Sequence, residues 1–273
     1  MSQDNAPRGR VLIIAGSDSG GGAGIQADLK TVTMLGGYAM TAITAITAQD
    51  TTGVHGVWAI ADDAVTAQMR ACLTDIGTDT IKTGMLGSAR LVEQIAETLD
   101  ELARETPRIV DPVMVATSGD RLVDEVAVSA IAALLLPGAA LMTPNSLEAE
   151  ILTGKAVDGI NGQRRAAEAL LERGAKGALV KGGHVPGKVI HDVLQTEHGE
   201  WIFESERIET TSTHGTGCTL ASACAALLAQ GIAVDEAVAQ GRDYLHQAIK
   251  NGPGFGQGHG PVAHNWSLID QQD

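Results

Sequence analysis

The residues at 213–220, THGTGCTL, set a thiol at the start of an alanine-rich helical segment, directly after two glycines. Gly215 and Gly217 allow consecutive backbone N–H groups to point the same way, and the dipole of the following helix adds positive potential at that point. An anion can be held there without Lys or Arg. The competing reading is an ordinary helix start capped by Thr213 or Thr216. Cys218 favours the anion seat, because a thiol at a helix N-terminus is expected to have a lowered pKa and to be partly thiolate at neutral pH, ready to act as base or nucleophile. A second glycine cluster, GSDSGGGAG at 16–24, follows an apolar run and opens a helix, the context a nucleotide loop requires. It lacks the G-K-[ST] ending of a P-loop and, with Ile25, the G-x-G-x-x-G spacing, so by pattern alone it is equally a tight strand-to-helix turn.

The elements that must position these turns alternate along the chain. Short β-branched runs at 11–16, 38–47, 80–83, 108–113, 140–143 and 177–181 read as strands. Between and after them lie helical patterns at 23–35, 62–74, 88–104, 123–136, 146–152, 161–173, 215–230 and 234–250. This β-α-β rhythm predicts an α/β fold, a mostly parallel central sheet with helices on both faces. The rhythm breaks at 188–209, where two strand-like runs flank a turn and predict an antiparallel hairpin at one sheet edge. No linker, repeat or charge block divides the chain, so one domain is expected over 11–273 after a flexible 1–10.

Of 273 residues, 44% are apolar, 19% are charged and 33 are glycine, and the net charge is -14. That charge repels a polyanion and argues against a nucleic-acid or membrane-surface partner, while a small anion held by local backbone dipoles remains open. Aromatics at 3% speak against base stacking. Three cysteines without a C-x-x-C pair point to neither a disulfide framework nor a zinc knuckle, which fits a cytoplasmic location. The uncharged stretches carry breakers, so none reads as a membrane span.

In order along the chain, GSDSGGGAGIQADLKT, TAITAQDT, IKTGMLGS, DPVMVATSGDRL, TPNSLEAE, KGGH, THGTGCTLASA and GHGP together resemble the hydroxymethylpyrimidine/phosphomethylpyrimidine kinases of thiamine biosynthesis, in the ribokinase-like superfamily. The likeness runs from about Val11 to His264. It implies a three-layer α/β/α fold, ATP with Mg2+, and two successive phosphorylations of 4-amino-5-hydroxymethyl-2-methylpyrimidine. Cys218 matches the family's catalytic position, with the amides of Gly215, Thr216 and Gly217 beside it as the seat for charge on the migrating phosphoryl group. A primary alcohol benefits from a base, whereas a phosphate acceptor is already ionised, so the base matters more in the first transfer.

The resemblance assigns Asn145 and Glu148 to Mg2+ and its waters around the ATP phosphates, a task for hard oxygen donors; the same N-x-x-E spacing is also a capping box, and the two readings are compatible. Leu147 stands between them where the family often has Pro. Asp111 is a further oxygen donor at the same sheet edge, or an Asp-Pro turn. Lys181 reaches a phosphate or is a surface lysine, and Thr213 joins the nucleotide side. For the pyrimidine the resemblance points to Gln49, Gly16, Asp28, Met85 and Val113. One carboxamide matches the donor and acceptor of an aminopyrimidine at once, which makes Gln49 the specificity residue; Asp28 accepts from the exocyclic amine or is a solvated helix charge. Residues 118–120 read as a lid hinge, His214 as a neighbour that orients backbone. Competing functions are a pyridoxal/pyridoxine kinase on the same fold and a pyrimidine sensor without chemistry. A homodimer is expected through the hairpin at 188–209 or the uncharged strand at 38–48.

Overall fold

The computed structural model describes residues 8–114 and 124–269. The expected hinge at 118–120 lies outside them. Among the described residues nine strands form one sheet: β1 (Arg10–Asp18), β2 (Tyr38–Asp50), β3 (Gly53–Ala59), β4 (Thr80–Thr83), β5 (Arg108–Val110), β6 (Leu141–Met142), β7 (Gly177–Val180), β8 (Val189–Thr196) and β9 (Gly199–Glu206), in the order β3-β2-β1-β4-β5-β6-β7-β8-β9. The six from β2 to β7 run parallel, as the alternating pattern predicts.

Period-two geometry divides each central strand between two cores. Leu12 and Ile14 pack under α2 (Asp62–Ala71), α3 (Ala89–Leu102), α4 (Glu125–Ala130), α5 (Ser146–Thr153) and α6 (Ile160–Glu172). Val11 and Ile13 face α1 (Gly24–Met34), α7 (Thr216–Ala229) and α8 (Val234–Lys250). The result is the expected three layers, closed by a short α9 (Trp266–Ile269). Both α2 and α4 end in a π-helical turn, Cys72–Ile76 and Ile131–Leu135, so the expected single helices over 62–74 and 123–136 each change their hydrogen bonding part-way.

The hairpin β8–β9 lies at one edge, as expected, but the opposite edge is antiparallel too. Asp50 Oδ1 accepts from the Thr52 amide and hydroxyl and from the Gly53 amide, which reverses the chain and lays β3 against β2. The parallel strands all end towards one side, and the order turns between β1 and β4, the place where open α/β sheets leave a crevice for ligands.

Candidate active site

That crevice holds a cavity of about 1310 Å³, roomier than the ~300–1,000 Å³ typical of one small ligand and able to seat two side by side. One wall is the turn before α7. Gly215 adopts φ +81°, and a Cβ there would stand 1.8 Å from Gly22 O, so only glycine permits the turn. Thr219 N donates to Gly215 O as the first helical bond. No side chain caps α7, so the alternative of a Thr213 or Thr216 cap is not what the chain adopts. The amides of Thr216, Gly217 and Cys218 are left to the cavity they line, with the dipole of a fully packed 14-residue helix behind them.

His214 does more than orient its own backbone. Its Nε2 lies 2.8 Å from Asp18 Oδ2, and that buried carboxylate also accepts from the amides of Gly20, Gly22 and Ala23. Burial alone would push the Asp18 carboxyl up; the His214 bond and these amides outweigh it and hold it below the usual carboxylate range. The two glycine turns are thereby clasped together. Asp18 is a residue that sequence reasoning missed: inside GSDSGGGAG nothing sets it apart from its neighbours.

Across the cavity stand the ends of β5, β6 and β7. Asn145 Oδ1 accepts from Glu148 N while Glu148 Oε2 accepts from Asn145 N, a complete capping box at the start of α5. Lys181 Nζ reaches Asp111 Oδ1 at 3.3 Å and is largely buried, not a surface lysine. Burial pushes its ammonium down, but Asp111 and Glu148 outweigh that and keep it protonated. Gly217 is what leaves the space open: a Cβ on it would stand 3.3 Å from Lys181 Nζ and 3.9 Å from Asp111 Oδ2.

Asp111 Oδ2 is buried without a partner among the described residues. Burial pushes the Glu148 carboxyl up to about 7, Lys181 opposing and Asp111 reinforcing the rise. The unpartnered Asp111 oxygen, with the buried Glu148 carboxylate beside it, suits a magnesium ion that takes its remaining ligands from water and phosphate. Among the described residues no group of three His, Cys, Asp or Glu stands together as a metal site.

The residues expected to meet the pyrimidine lie with one exception along the same cavity. Gly16, Gln49, Met85 and Val113 all line it. A Cβ on Gly16 would meet Met85 Cε at 2.3 Å, so the thioether lies directly on that glycine. Thr47 Oγ1 lies 3.1 Å from Gln49 Oε1, and Gln49 Nε2 lies 3.5 Å from His214 Nε2. Thr213 lines the cavity too, its hydroxyl 3.1 Å from His259 Nδ1.

Two expectations need correction. Asp28 does not line the cavity: it is fully buried, held by both oxygens at 3.0 Å from Lys82 Nζ and by Ser222 Oγ at 2.6 Å. Cys218 lines the cavity, but its thiol is not partly ionised. Burial pushes it up to about 12; Lys82 opposes most strongly, and the helix start does not offset the loss of water. Lys82, unread in the sequence, lines the cavity that Asp28 does not reach. Only its place in the conspicuous string IKTGMLGS could have drawn attention to it.

A family model described as phosphomethylpyrimidine kinase matches residues 18–263. The chain is 48% identical to the hydroxymethylpyrimidine/phosphomethylpyrimidine kinase of Streptomyces coelicolor, over 94% of this chain and 95% of that one. It is equally similar, 48% over 98% of its length, to the thiamine biosynthesis bifunctional protein ThiED of Geobacter sulfurreducens, of which it covers 54%. Among solved structures it resembles an ADP complex of Bacillus subtilis pyridoxal kinase, with TM-score 0.88, 35% identity and coverage of 96% and 99% of the two chains. A phosphomethylpyrimidine kinase from Clostridium difficile superposes with TM-score 0.79 at 38% identity, covering 88% of this chain and 99% of that one. The fold is thus that of the ribokinase-like kinases, enzymes that move a phosphoryl group onto a small molecule. Within them, the chain belongs to the phosphomethylpyrimidine kinase family.

Proposed function

We propose that the chain transfers the terminal phosphoryl group of ATP, with Mg2+, to the hydroxyl of 4-amino-5-hydroxymethyl-2-methylpyrimidine and then to the monophosphate so formed, as a step of thiamine biosynthesis. The observation that carries this reading is the uncapped turn at 215–218, which lines the same cavity as Lys181, Asp111 and Glu148 on one side and Gln49, Met85 and Gly16 on the other. The turn's amides hold the migrating group, and Lys181 neutralises charge beside it. A bound Mg2+ would supply Lewis-acid polarisation of the phosphates; Asp111, Glu148 and Asn145 are the residues to hold it and its waters. Gln49 reads the aminopyrimidine, with Met85, Val113 and Gly16 against the ring. In the first transfer the hydroxyl oxygen bonds to phosphorus as the bond from phosphorus to ADP breaks, and the hydroxyl proton passes to the sulfur of Cys218, whose thiol must first lose its own proton to solvent. In the second the acceptor is already an anion.

Three free thiols support the reducing cytoplasm as its location. The outer face of β2–β3, where Ile46 and Trp58 sit opposite each other and Trp58 is 60% exposed, is our choice for a homodimer contact, checked by light scattering across concentration. The function is tested by incubating the protein with Mg-ATP and either hydroxymethylpyrimidine or pyridoxal and weighing the products. The expected result is one and then two added phosphoryl groups on the pyrimidine and faster turnover of it than of pyridoxal. Preference for pyridoxal, or ligand binding without ADP release, would overturn the reading.

A further inference from the structure

Lys181 is gripped through the peptide amides on either side of its side chain. Its own N–H donates to Pro144 O at 2.9 Å, just past the end of β6. The β7–β8 ladder stops at Val180 and Val193, and the amide that follows Lys181, that of Gly182, donates instead to the side chain of Asp192 on β8, 2.7 Å from Oδ1. Gly182 has no room for a side chain: a Cβ there would stand 2.0 Å from His191 O. The other Asp192 oxygen, Oδ2, accepts from Arg242 Nε on α8 at 2.7 Å. Arg242 also reaches Ser205 Oγ at 3.3 Å, and its guanidinium lies 5.2 Å from the centre of the Phe203 ring, both on β9. The Arg242 and Asp192 side chains are 11% and 10% exposed, and both line the cavity. Lost hydration offsets most of what two such charges gain by attraction, so stability alone is a weak reason for the pair. Its geometry gives a better one: one carboxylate oxygen is fixed by α8 and the other holds the backbone beside Lys181.

We propose that Asp192 is a positioning residue for Lys181, held to that task by Arg242, and that it sets where the ammonium meets the migrating phosphoryl group. The inference rests on the reading of Lys181 as the cation beside that group. Lys181 Nζ stands 3.3 Å from Asp111 Oδ1 and 3.3 Å from where a Cβ on Gly217 would be, so it sits between the carboxylate wall and the turn before α7. Stabilisation of charge in a transition state depends on place, and a misplacement of ~1 Å costs ~100-fold in rate. A long, flexible lysine keeps its place only if its backbone does. Here the backbone is held from β6 on one side and, through Asp192, from β8 and α8 on the other. Helix α8 packs on α7, so the same helix that fixes Asp192 supports the wall that Lys181 faces.

Crossing Asp192→Asn with Lys181→Met tests this. An asparagine keeps a single oxygen, so it turns an N–H towards either the Gly182 amide or Arg242, and one of the two bonds is lost. Parent, single variants and double variant are compared for kcat with Mg-ATP and hydroxymethylpyrimidine, and for affinity to a non-hydrolysable ATP analogue by calorimetry. In the chain that has Lys181, Asp192→Asn is expected to lower kcat at least ~10-fold and to weaken the analogue several-fold. In the Lys181→Met chain it changes either quantity by less than ~2-fold, because the group it acts through is gone. A merely structural role would give the same loss in both backgrounds, and that result, or no loss in either, overturns the inference. Where Asp192→Asn fails to fold, Arg242→Met takes its place in the cross: a loss confined to the chain with Lys181 supports the inference and equal losses refute it. Parent-like turnover in Lys181→Met would refute the reading of Lys181 and the inference with it, whereas a slow Lys181→Met with equal losses refutes the inference alone.

Discussion

Glu148 is held in a form that costs the unliganded protein stability. Its carboxyl is raised to about 7 from an ordinary 4.5, so the folded chain binds this proton more tightly than the unfolded chain. Stability is therefore lost as pH climbs from 4.5 to 7, and the loss is complete above 7, amounting to at most ~3 kcal/mol at about 1.4 kcal/mol per unit. Glu148→Gln keeps an acceptor for the Asn145 amide and removes the charge. Its melting temperature should exceed that of the parent at pH 8 and match it at pH 4.5, with transfer activity lost; a lower value at pH 8 would contradict the assignment. At Cys218 the expectation concerns rates. Cys218→Ala should slow phosphorylation of the alcohol at least ~100-fold and that of the monophosphate far less, measured by single turnover on each acceptor; equal losses would refute a base at that position. The place of Cys218 was legible in its glycines and helix start. Its ionisation was not, because that depends on Lys82 and the surrounding walls, which come from other elements. Asp28 was misassigned for the same reason: sequence puts it on a helix, and only packing shows which way that helix turns it.

At the scale of elements, the site is an agreement between two turns. Gly215 fits over Gly22 only without a Cβ and with φ +81°. Gly215→Ala is expected to cost ~2–4 kcal/mol in urea unfolding and to weaken binding of an ATP analogue more than tenfold in calorimetry. Gly231 has φ +83° with nothing within 4 Å of its missing Cβ. Gly231→Ala therefore carries the backbone strain alone, ~1–2 kcal/mol, and should leave binding intact. Equal binding losses in the two variants would mean that strain and not the clasp is at work. Most elements could be read from period and caps: β4 and α8 have the expected bounds, and Ser88 caps α3 by accepting from Leu91 N. Strand β3 could not. Its GVHGVWA carries two glycines and is mostly exposed, and only pairing with β2 makes it a strand. The Trp58 ring lies against Gly56, covering backbone that the glycine leaves bare.

For the whole molecule, the C-terminal segment ties the turn before α7 to the rest of the fold. His264 Nε2 lies 3.1 Å from Thr219 Oγ1, whose hydroxyl donates to Gly215 O, and Tyr244 donates to His264 O at 2.5 Å. Burial holds the His264 ring down to about 4 against an ordinary 6.5. The folded chain thus binds that proton less tightly than the unfolded chain, so stability present above pH 6.5 is lost as pH falls towards 4, by up to ~3 kcal/mol. His264→Gln should flatten this acid limb in melting experiments, whereas an unchanged limb would show that other groups produce it. The central claim is that helix-start amides and carboxylates on opposite walls close around one transferable phosphoryl group. A crystal structure with Mg2+ and a non-hydrolysable ATP analogue tests it most directly. The account predicts the terminal phosphate within hydrogen-bond distance of the amides at 215–218, with the metal beside Asp111 and Glu148; a terminal phosphate seated elsewhere in the cavity would contradict it.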